Sequence, residues 1–529
     1  MRTHRRTERA NLPGGTTRSG IAPRAPSCAA VRFLDSAGAK AAGIGFLLAG
    51  LVVGGGCGSE PPPSVEVPAL PTLRLAADGA RLRDALGREV LLRGVNAGGR
   101  SKFPPFFPFP FAESGRPEQA GELPFARALD AYVARVADWG LDVVRLPFSW
   151  EALEPVRGTY DETYLDRYAA MAQAFGAQGI RVIVDFHQDV FARPFCGDGF
   201  PRWALPDPDV PDRESCTAWW TGYLGDPEVD RAFDRFWANE DGLRDAFEAM
   251  WRVVAARLWP VEGVIGFEPI NEPHRGTADE AAWTRDVLEP FFARLAQVLR
   301  EVAPGALVFV EPSGTDAADR ATTFTPPVGE GFVFAPHYYN AAVYVLGPDA
   351  AAYDVVADLA PWAAWRDAHG VPLLLGEFGC RTGTEGGARY LGANFDALDS
   401  YLAHGTAWEY STAADDWNDE GFRLTGPGGE ETPSVGALVR VYPRAVAGTI
   451  ASFRFDAAAR RAELRFAARP GVTEIAVPAR LYPEGVDMTV EGVDARWNDD
   501  PRRGLALVET RGPGTARVTI GPAAGRTGG

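Results

Sequence analysis

The chain has 529 residues, of which 46% are hydrophobic and 23% are charged, and its net charge is −17. This length accommodates two or three domains, and the composition is ordinary for a globular protein with a large buried core. Residues 1–58 hold eight basic and two acidic side chains, a net of +6, so the rest of the chain carries −23. So acidic a body repels phosphate backbones, which argues against nucleic acid as a partner.

The amino-terminal region, residues 1–58, is predicted to be a leader. Lys40 is followed by a 16-residue uncharged apolar run, 41–56, and then by Cys57. Such a run is short for a membrane-spanning helix and is typical of the apolar region of a secretory signal. We therefore predict an exported protein, in which a proline-rich linker over residues 59–72 follows the leader.

Cys57 closes this apolar run just before the linker, and in that respect the leader resembles a bacterial lipoprotein signal. The resemblance implies that the mature chain begins at a lipid-modified Cys57 and lies in the cell envelope, in contact with a membrane surface. Gly54 and Gly55 depart from the motif, which prefers a larger aliphatic residue and a small one there. The alternative is plain secretion without lipid.

Between residues 73 and 445, short apolar runs alternate with amphipathic helical stretches. Helices are predicted at 125–139, 161–179, 243–259, 280–303 and 385–404. Strands are predicted at 91–96, 143–150, 182–187, 264–273, 307–313, 332–339, 372–379 and 406–411. Eight β units with helical crossovers predict an α/β fold, a (β/α)₈ TIM barrel over residues 73–445. The alternative, a doubly wound sheet, would carry a glycine-rich phosphate turn after an early strand, and the sequence shows none.

The pattern changes from residue 446 onwards. Segments such as "IASFRFD" and "ARVTIGP" are short and alternate apolar with polar residues, and turn residues separate them. This pattern predicts a small all-β sandwich over residues 446–525. The final residues, 526–529, are predicted to be disordered.

Cysteines are few, and two of them flank one long loop. Cys196 and Cys216 bound the segment "CGDGFPRWALPDPDVPDRESC". In an oxidising compartment such a pair forms a disulfide, which we predict here, and the alternative is two free thiols. Cys380 is left single.

The carboxyl ends of barrel strands carry the chemistry in this fold. Two glutamates on separate strand ends, with no cluster of metal ligands, suit a glycosidase: one protonates the leaving oxygen and the other attacks the anomeric carbon. We therefore expect neither a metal nor a cofactor. The residues at the strand ends are Arg145, His187, Asp189, Asn271, Glu272, His337, Tyr339, Glu377 and Trp408.

Strand alternation alone does not choose the catalytic pair. Glu268 and Glu311 also lie on or near strand ends and compete with Glu272 and Glu377. A buried glutamate at a strand end is more often an ion-pair partner than a catalyst. If Asn271 and Glu272 both serve the site, the strand that carries them must contain a bulge, because alternation would point them to opposite sides.

The motifs at these strand ends resemble those of glycoside hydrolase family 5, a retaining (β/α)₈ family. "INEP" (270–273) and "GEFG" (376–379) match its acid/base and nucleophile motifs. "VVRLPFSW", "DFHQD", "HYY" and Trp408 follow the family's order for its Arg, His, His–x–Tyr and platform Trp. The resemblance implies that Glu272 is the acid/base and Glu377 the nucleophile.

Within the family the likeness is strongest to endoglycoceramidases, which cleave the β-glycosidic bond between an oligosaccharide and ceramide. This resemblance extends over roughly residues 73–525. It is carried by "LRG-N" followed by a loop lysine, and by "HQDV", "RAFDRFW" and "YPRAVAG". The loops "FCGDGFPRWALPDPDVPDRESC" and "WEYSTAADDW" depart from it. The implied partner is therefore a glycolipid substrate.

The resemblance also implies roles around the catalytic pair. Asn271 would bind the sugar 2-hydroxyl, Tyr339 would steer the nucleophile's carboxylate, and Arg145 would hold that carboxylate ionised. Lys102 and Asp189 would contact the sugar. The full set of expected substrate-binding residues is Lys102, Arg145, His187, Asp189, Asn271, His337, Tyr339 and Trp408.

Three other functions remain open at this point. Close relatives of endoglycoceramidases act as β-glucosidases on glucosylceramide or steryl glucosides. A soluble β-glucanase of the same family would have an open cleft with tryptophan platforms. A surface lipoprotein that binds glycolipid without cleaving it would lack one of the two glutamates. The tryptophans that keep the β-glucanase open are Trp203, Trp219, Trp220 and Trp417.

The loop "KFPPFFPFPF" (102–111) follows the first barrel strand and so lies on the catalytic rim. Its prolines exclude helix and regular strand. Either the rings pack inward as core, or they form an exposed apolar patch that meets ceramide and a membrane surface. For the second alternative the lipid-facing candidates are Phe103, Phe106, Phe107 and Phe109, with Phe191, Phe195, Phe200 and Trp203 added to the same wall.

Overall fold

The computed structural model describes residues 64–112, 123–316, 322–413 and 420–523. The predicted leader 1–58 with Cys57, the first residues of the linker, the tail 526–529 and Trp417 lie outside the described residues. The later part of the linker runs along the protein: Val65 is buried, and its backbone N–H donates to Asn498 Oδ1 at 2.5 Å. None of the helices in the described ranges is long and apolar enough to cross a membrane.

Three short antiparallel strands precede the barrel. They are β1 (Ala76–Asp78), β2 (Arg81–Arg83) and β3 (Glu89–Val90). Their apolar residues Leu82 and Val90 cluster with Val143 and Val333 from the barrel strands. Because Val143 begins its strand, these three strands cover the amino-terminal end of the barrel, opposite the catalytic rim.

Eight parallel strands form the predicted barrel. They pair in the order β10-β11-β4-β5-β6-β7-β8-β9, and a parallel bridge between Phe334 and Leu373 joins the two outer strands. The predicted (β/α)₈ fold is therefore confirmed. The strands are β4 (Arg93–Asn96), β5 (Val143–Phe148), β6 (Arg181–Phe186), β7 (Val264–Glu268), β8 (Leu307–Val310), β9 (Phe332–Phe334), β10 (Leu374–Leu375) and β11 (His404–Ala407).

Helices connect these strands, and each of the five predicted helical stretches contains one. Several begin at an aspartate whose side chain accepts a backbone N–H of the first turn, as Asp161 does from Tyr164. The helices are α1 (Phe125–Asp138), α2 (Trp150–Leu153), α3 (Glu162–Ala177), α4 (Pro227–Trp237), α5 (Leu243–Leu258), α6 (Glu280–Trp283), α7 (Glu289–Val302), α8 (Ala341–Leu346), α9 (Val355–His369), α10 (Glu385–Tyr401) and α11 (Val435–Leu438). A π-helical turn, Thr284–Leu288, joins α6 to α7.

The carboxyl-terminal part is a sandwich of two antiparallel sheets, as predicted. One sheet has the order β1-β2-β3-β12-β15-β18-β17 and the other β13-β14-β19-β16. Alternate residues of these strands face a shared apolar core that includes Phe453, Leu464 and Val518. The strands are β12 (Tyr442–Val446), β13 (Gly448–Asp456), β14 (Arg461–Ala468), β15 (Gly471–Ala476), β16 (Val486–Glu491), β17 (Ala495–Asp500), β18 (Leu505–Thr510) and β19 (Gly514–Pro522).

The pairing of β3 with β12 changes the boundary between the two parts. We predicted a barrel over residues 73–445 and a sandwich over 446–525. In the structure Val90 lies opposite Ala445, so β1–β3 and β12 belong to the first sheet of the sandwich. The barrel strands begin at Arg93. The sandwich is thus built from both ends of the chain, a pairing that local patterns cannot reveal.

The phenylalanine loop packs inward, which corrects one prediction. Phe107 and Phe109 are 3% and 2% exposed and contact Phe125 of α1, with ring centroids 5.6 Å away in both cases. The hypothesis that these two rings face lipid is therefore wrong. Phe106 is half-buried and packs against the same core, and Phe103 is half-buried as well.

The second part of the predicted apolar wall is also core. Phe191, Phe195 and Phe200 are buried, and the half-buried Trp203 packs edge-on against Trp150 at 5.0 Å. The loop that carries them is closed by the predicted disulfide between Cys196 and Cys216, which is confirmed. Cys380 is free and buried.

Candidate active site

Two glutamates face each other at the carboxyl end of the barrel. Strand β7 ends at Glu268, and the chain continues irregularly to Glu272, which has a φ of 41°. Glu377 follows the short strand β10. Carboxylate oxygens of Glu272 and Glu377 lie within 4.8 Å of each other. Retaining glycosidases hold their two carboxyl groups about 5–5.5 Å apart, whereas inverting ones leave about 6.5–9.5 Å.

A bulge is not what brings Asn271 and Glu272 to the site. The strand ends three residues before Asn271, so the alternation that would separate the two side chains no longer applies. The left-handed backbone of Glu272, rare for a residue with a side chain, turns its carboxyl toward the cleft. Backbone strain of this kind is concentrated at functional sites, where the surrounding structure maintains it.

Arg145, at the centre of β5, organises the base of the site. Its Nη1 donates to Glu377 Oε1 at 2.7 Å and its Nε to Glu268 Oε2 at 2.6 Å. Its Nη2 donates to Asn271 Oδ1 at 2.7 Å and lies 3.1 Å from Asp185. Since Glu268 is fully buried against this guanidinium, it is an ion-pair partner rather than a catalyst.

Glu377 is held at both oxygens. Tyr339 donates its hydroxyl to Glu377 Oε2 at 2.8 Å, while Arg145 holds Oε1. Burial raises the pKa of Glu377, and His337 and Arg145 oppose the rise. The two donors fix the carboxylate in one orientation, as a nucleophile that must approach an anomeric carbon in line requires.

Glu272 is held differently. Its Oε1 lies 2.8 Å from His337 Nδ1, and its backbone N–H donates to Glu311 Oε2 at 3.0 Å. Burial, and then the nearby charge of Asp189, raise the pKa of Glu272 to about 8, against the opposing effect of Lys102. Glu272 is therefore protonated at neutral pH, which is the state that a general acid needs.

Lys102, Asp189 and Trp408 form one side of the cleft. The Lys102 ammonium pairs with the Asp189 carboxylate and lies 4.4 Å from the centroid of the Trp408 ring. Against the effect of burial, Lys102 and His187 lower the pKa of Asp189, which stays ionised. The Trp408 ring stacks on His187 at 5.3 Å. An ion pair beside an aromatic face offers a sugar both polar contacts and a stacking surface.

All ten residues predicted for the site converge on it. Six line a cavity of about 560 Å³: Lys102, Asp189, Glu272, Tyr339, Glu377 and Trp408. The other four lie behind them: Arg145, His187 and His337 contact lining residues, and Asn271 contacts Arg145. The amide of Asn271 accepts from Arg145 and donates to the backbone oxygen of Gln188, and its contact with a sugar hydroxyl stays a prediction.

The sequence did not point to several other residues of the cavity. Glu420, from the loop after β11, accepts a hydrogen bond from Trp219 Nε1 at 3.2 Å, and burial raises its pKa to about 7. Nothing in its sequence context marks it. Trp219 and Trp220 were named only as candidate platforms, and both line the cavity together with Tyr223, Tyr344 and Phe422.

The mouth of the cavity is apolar and exposed. Leu224, at the end of the 3₁₀ helix Trp219–Leu224, is 69% exposed. Val345 and Leu346 of α8 are 71% and 63% exposed. The rings of Trp220 and Tyr344 meet at 6.0 Å and connect the two segments. Trp220, Leu224, Tyr344 and Val345, which line the cavity, and Leu346, which follows Val345 in α8, are called the apolar lip below.

A (β/α)₈ barrel with two carboxyl groups at this spacing is the architecture of a retaining glycoside hydrolase. The family models agree. Cellulase (glycosyl hydrolase family 5) matches residues 114–414, and the glycoside hydrolase family 5 C-terminal domain matches residues 440–520. The chain belongs to glycoside hydrolase family 5.

Individual relatives are similar over most of the chain. Endoglycoceramidase I of Rhodococcus hoagii (strain 103S) is 30% identical over 495 residues, which covers 87% of this chain and 90% of that protein. Endo-glycoceramidase II from Rhodococcus sp. has been solved as a lactosyl-enzyme intermediate and as a ganglioside GM3 complex. Each of these two structures has a TM-score of 0.67 and 28% identity to this chain, and covers 84% of this chain and 100% of its own.

Proposed function

We propose that this enzyme is an endoglycoceramidase, which hydrolyses the β-glycosidic bond between an oligosaccharide and ceramide with retention of configuration. One observation carries the proposal: the cavity that holds Glu272 and Glu377 also holds polar groups for a sugar, and it opens through the apolar lip. A glycolipid likewise has a polar sugar part and an apolar lipid part. The similarity to endoglycoceramidases over most of the chain supports the same function.

The reaction needs two steps. In the first, the Glu272 carboxyl gives its proton to the glycosidic oxygen while Glu377 Oε attacks the anomeric carbon, so ceramide leaves as an alcohol and a glycosyl ester forms on Glu377. In the second, Glu272, now a carboxylate, takes a proton from water, and the resulting hydroxide displaces Glu377 from the anomeric carbon. The 4.8 Å limit on the carboxylate separation leaves no room for a water between the two groups in the first step.

The apolar lip gives ceramide a place to lie. Apolar area removed from water contributes about 25 cal/mol per Å². Leu224, Val345 and Leu346 are all more than 60% exposed, so their surface is available for burial by acyl and sphingoid chains. Exposed apolar surface of this extent beside a catalytic cleft marks a binding surface. We therefore expect ceramide to contact the apolar lip and not the phenylalanine loop.

The other candidate activities are less well supported. A soluble β-glucanase needs tryptophan platforms along an open cleft. Trp203 is packed on Trp150, whereas Trp219 and Trp220 line the cavity, so it is the exposed apolar lip that a soluble glucan leaves unused. A protein that only binds glycolipid would not need two glutamates at catalytic distance. A β-glucosidase acting on glucosylceramide or steryl glucosides shares the acid, the nucleophile and the lip, so it is the alternative that the test below must separate.

The test is a digest of purified protein with three lipids in detergent: a ganglioside, lactosylceramide and glucosylceramide. We expect release of intact oligosaccharide and ceramide from the first two, and its loss in Glu377→Gln. Glucose from glucosylceramide alone would identify a lipid β-glucosidase instead. Cleavage of a soluble β-glucan with no cleavage of any lipid would overturn the proposal.

A second test concerns the lip. Leu224→Ser and Val345→Ser together are expected to lower kcat/KM for lactosylceramide while leaving soluble lactosides unaffected, because they remove apolar area without touching the catalytic pair. Val328→Ser is the matched control, since Val328 is fully exposed and is not among the residues that line the cavity. An equal effect of the double variant on both substrates would show that the lip does not meet ceramide.

We further propose that the protein is exported, as a cell-envelope lipoprotein or a secreted enzyme. The support is the sequence pattern that ends at Cys57 and the disulfide Cys196–Cys216, which belongs in an oxidising compartment. Mass spectrometry of the mature amino terminus tests it. A diacylglyceryl group on Cys57 would establish the lipoprotein, and cleavage without lipid would establish secretion.

A further inference from the structure

Glu311 is a further glutamate of the site, and the reaction described above does not use it. It follows β8, is 1% exposed and lies behind Glu272. Its Oε2 accepts the backbone N–H of Glu272 at 3.0 Å and lies 3.4 Å from His337 Nε2. The opposite nitrogen of that ring, Nδ1, contacts the Glu272 carboxyl at 2.8 Å. Glu311 thus bonds the backbone of Glu272 directly and lies beside the ring that contacts the Glu272 carboxyl.

The backbone contact matters because Glu272 is strained. Its φ of 41° lies in the left-handed region, which is unfavourable for a residue with a side chain. Such a conformation persists only where neighbours hold it. Gln188 Nε2 donates to the carbonyl oxygens of Asn271 and Glu272 at 2.8 and 2.9 Å, and Glu311 holds the one N–H between them.

We infer that Glu311 is a positioning residue for the acid/base: its carboxyl, together with the side-chain amide of Gln188, clamps the backbone of Glu272 so that the Glu272 carboxyl faces the leaving oxygen. This inference rests on the assignment of Glu272 as the acid in the proposed function. It does not depend on which lipid or glycan is cleaved.

The charges around Glu311 favour its neutral form. Four carboxylates surround the single guanidinium of Arg145: Asp185, Glu268, Glu311 and Glu377. Burial, and then the charge of Glu268, raise the pKa of Glu311 well above its usual range. A neutral carboxyl still offers an oxygen to the Glu272 N–H and can give its own proton to Glu268. Gln has the same acceptor and an N–H in place of that proton.

The inference predicts opposite outcomes for two variants. Glu311→Ala removes the acceptor and lets the Glu272 segment relax, so acid catalysis suffers; a misplacement of about 1 Å costs on the order of 10²-fold. Glu311→Gln keeps the acceptor and is expected to stay near wild-type activity. Gln188→Met keeps the side-chain volume but removes the two hydrogen bonds to the carbonyl oxygens of Asn271 and Glu272. This variant is expected to resemble Glu311→Ala.

Leaving-group dependence separates positioning of the acid from general damage. Phenyl β-lactoside needs a proton on its leaving oxygen, whereas dinitrophenyl β-lactoside leaves without one. Glu311→Ala is therefore expected to lower kcat/KM on the order of 10²-fold for the phenyl substrate and very little for the dinitrophenyl substrate. The alkaline limb of its pH profile is expected to move to lower pH, because a loosened Glu272 gains water.

Two reference variants make the result decisive. Glu272→Ala sets the full size of the leaving-group effect and tests the proposed function itself, since its failure to discriminate the two substrates would overturn the acid assignment. Ser313→Ala alters a buried residue of the same loop, whose hydroxyl bonds Thr315, and is expected to change neither substrate. Melting curves for all variants confirm folding.

If Glu311→Ala lowered kcat/KM equally for both aryl lactosides and left the alkaline limb unchanged, the positioning role of Glu311 would be overturned. The assignment of Glu272 as the acid would not be affected. Equal damage from Glu311→Gln and Glu311→Ala would also overturn it, because the hydrogen-bond acceptor would then not be what matters. If Glu311→Ala fails to fold, Gln188→Met decides the question by the same pair of substrates.

Discussion

Tyr339 and Arg145 hold opposite oxygens of the same carboxylate. The tyrosine hydroxyl lies 2.8 Å from Glu377 Oε2, and Arg145 Nη1 lies 2.7 Å from Glu377 Oε1. The carboxylate can therefore neither rotate nor take up a proton without losing one of these donors. Its counterpart Glu272 contacts His337 instead, and burial lowers the pKa of that ring to about 4, so it is neutral at neutral pH. Two chemically identical side chains thus acquire different roles from their neighbours.

Tyr339→Phe is expected to slow formation of the glycosyl-enzyme. A hydrogen bond to a charged group contributes about 1.5–3 kcal/mol, which corresponds to about a 10–100-fold fall in kcat/KM. Because attack by the nucleophile is affected, the fall should be similar for phenyl and dinitrophenyl lactosides. Tyr338→Phe is the control, since the Tyr338 hydroxyl bonds Asp358 and points away from Glu377. A leaving-group-dependent effect of Tyr339→Phe would contradict this role.

The pH profile of kcat/KM should be bell-shaped. The acid must be protonated, so activity on the phenyl lactoside is expected to fall above about pH 8, the pKa of Glu272. The nucleophile must be ionised, and since burial raises the pKa of Glu377 above 4.5, the acid limb should lie above that value. Dinitrophenyl lactoside should retain its activity above pH 8. A persistent alkaline limb with this substrate would assign the limb to another group.

The same shift makes a stability prediction. In the unfolded chain Glu272 ionises near 4.5, and in the folded protein near 8, so folding retains a proton between these values. The stability that this proton contributes is fully present below pH 4.5 and is lost as pH rises to about 8. Glu272→Gln keeps its side chain neutral throughout. Its free energy of unfolding relative to wild type should therefore rise by up to about 4 kcal/mol from pH 5 to pH 9.

Denaturant unfolding at the two pH values measures this difference. The control is Glu301→Gln, which changes a carboxylate that is 52% exposed on α7 and pairs with Arg252 at the surface. Its effect should differ little between the two pH values, because exposed ion pairs contribute about 0–1 kcal/mol. Parallel curves for Glu272→Gln and Glu301→Gln would mean that the acid is not protonated in the folded enzyme at neutral pH.

The barrel and the catalytic pair could be predicted because short stretches of the sequence carry the signals for both. Strand and helix periods repeat along the chain, and "INEP" and "GEFG" place Glu272 and Glu377 at strand ends in a fixed order. The choice of Glu272 over Glu268 as a catalytic residue needed the "INEP" motif, because strand periodicity does not show which of the two carboxyl groups contacts Arg145. The structure supplies that reason: Glu268 is fully buried against the guanidinium, whereas Glu272 lines the cavity.

What could not be predicted depends on contacts between distant segments. The rings of Phe107 and Phe109 are core because Phe125 and Tyr132 supply partners beyond the loop. The apolar lip joins Leu224 and Val345 from two different connections, and the sequence does not show that these two segments meet. Composition indicates that a loop is aromatic, but only tertiary packing decides whether its rings face water.

A buried ion cluster below the catalytic site connects the barrel to the sandwich. Asp399 of α10 accepts from Arg93 Nη2 of β4 and from Arg440 Nη2, just before β12, at 2.6 Å each. All three side chains are at most 3% exposed. Each of the two cations has lost its hydration, and Asp399 is the buried carboxylate that contacts both. Removal of that carboxylate therefore leaves two buried guanidinium groups with less compensation than they have now.

Asp399→Asn is accordingly expected to lower the free energy of unfolding by about 3–5 kcal/mol, the cost of breaking a buried ion pair from one side. The matched control is Asp396→Asn: Asp396 also contacts Arg440, at 2.8 Å, but is 59% exposed, and its loss should cost about 0–1 kcal/mol. Urea unfolding followed by tryptophan fluorescence measures both variants.

Because Arg93 begins a barrel strand and Arg440 precedes the sandwich, Asp399→Asn should also let the sandwich unfold before the barrel, as two transitions where wild type has one. A single transition, with equal small losses in both variants, would mean that packing rather than this cluster joins the two parts.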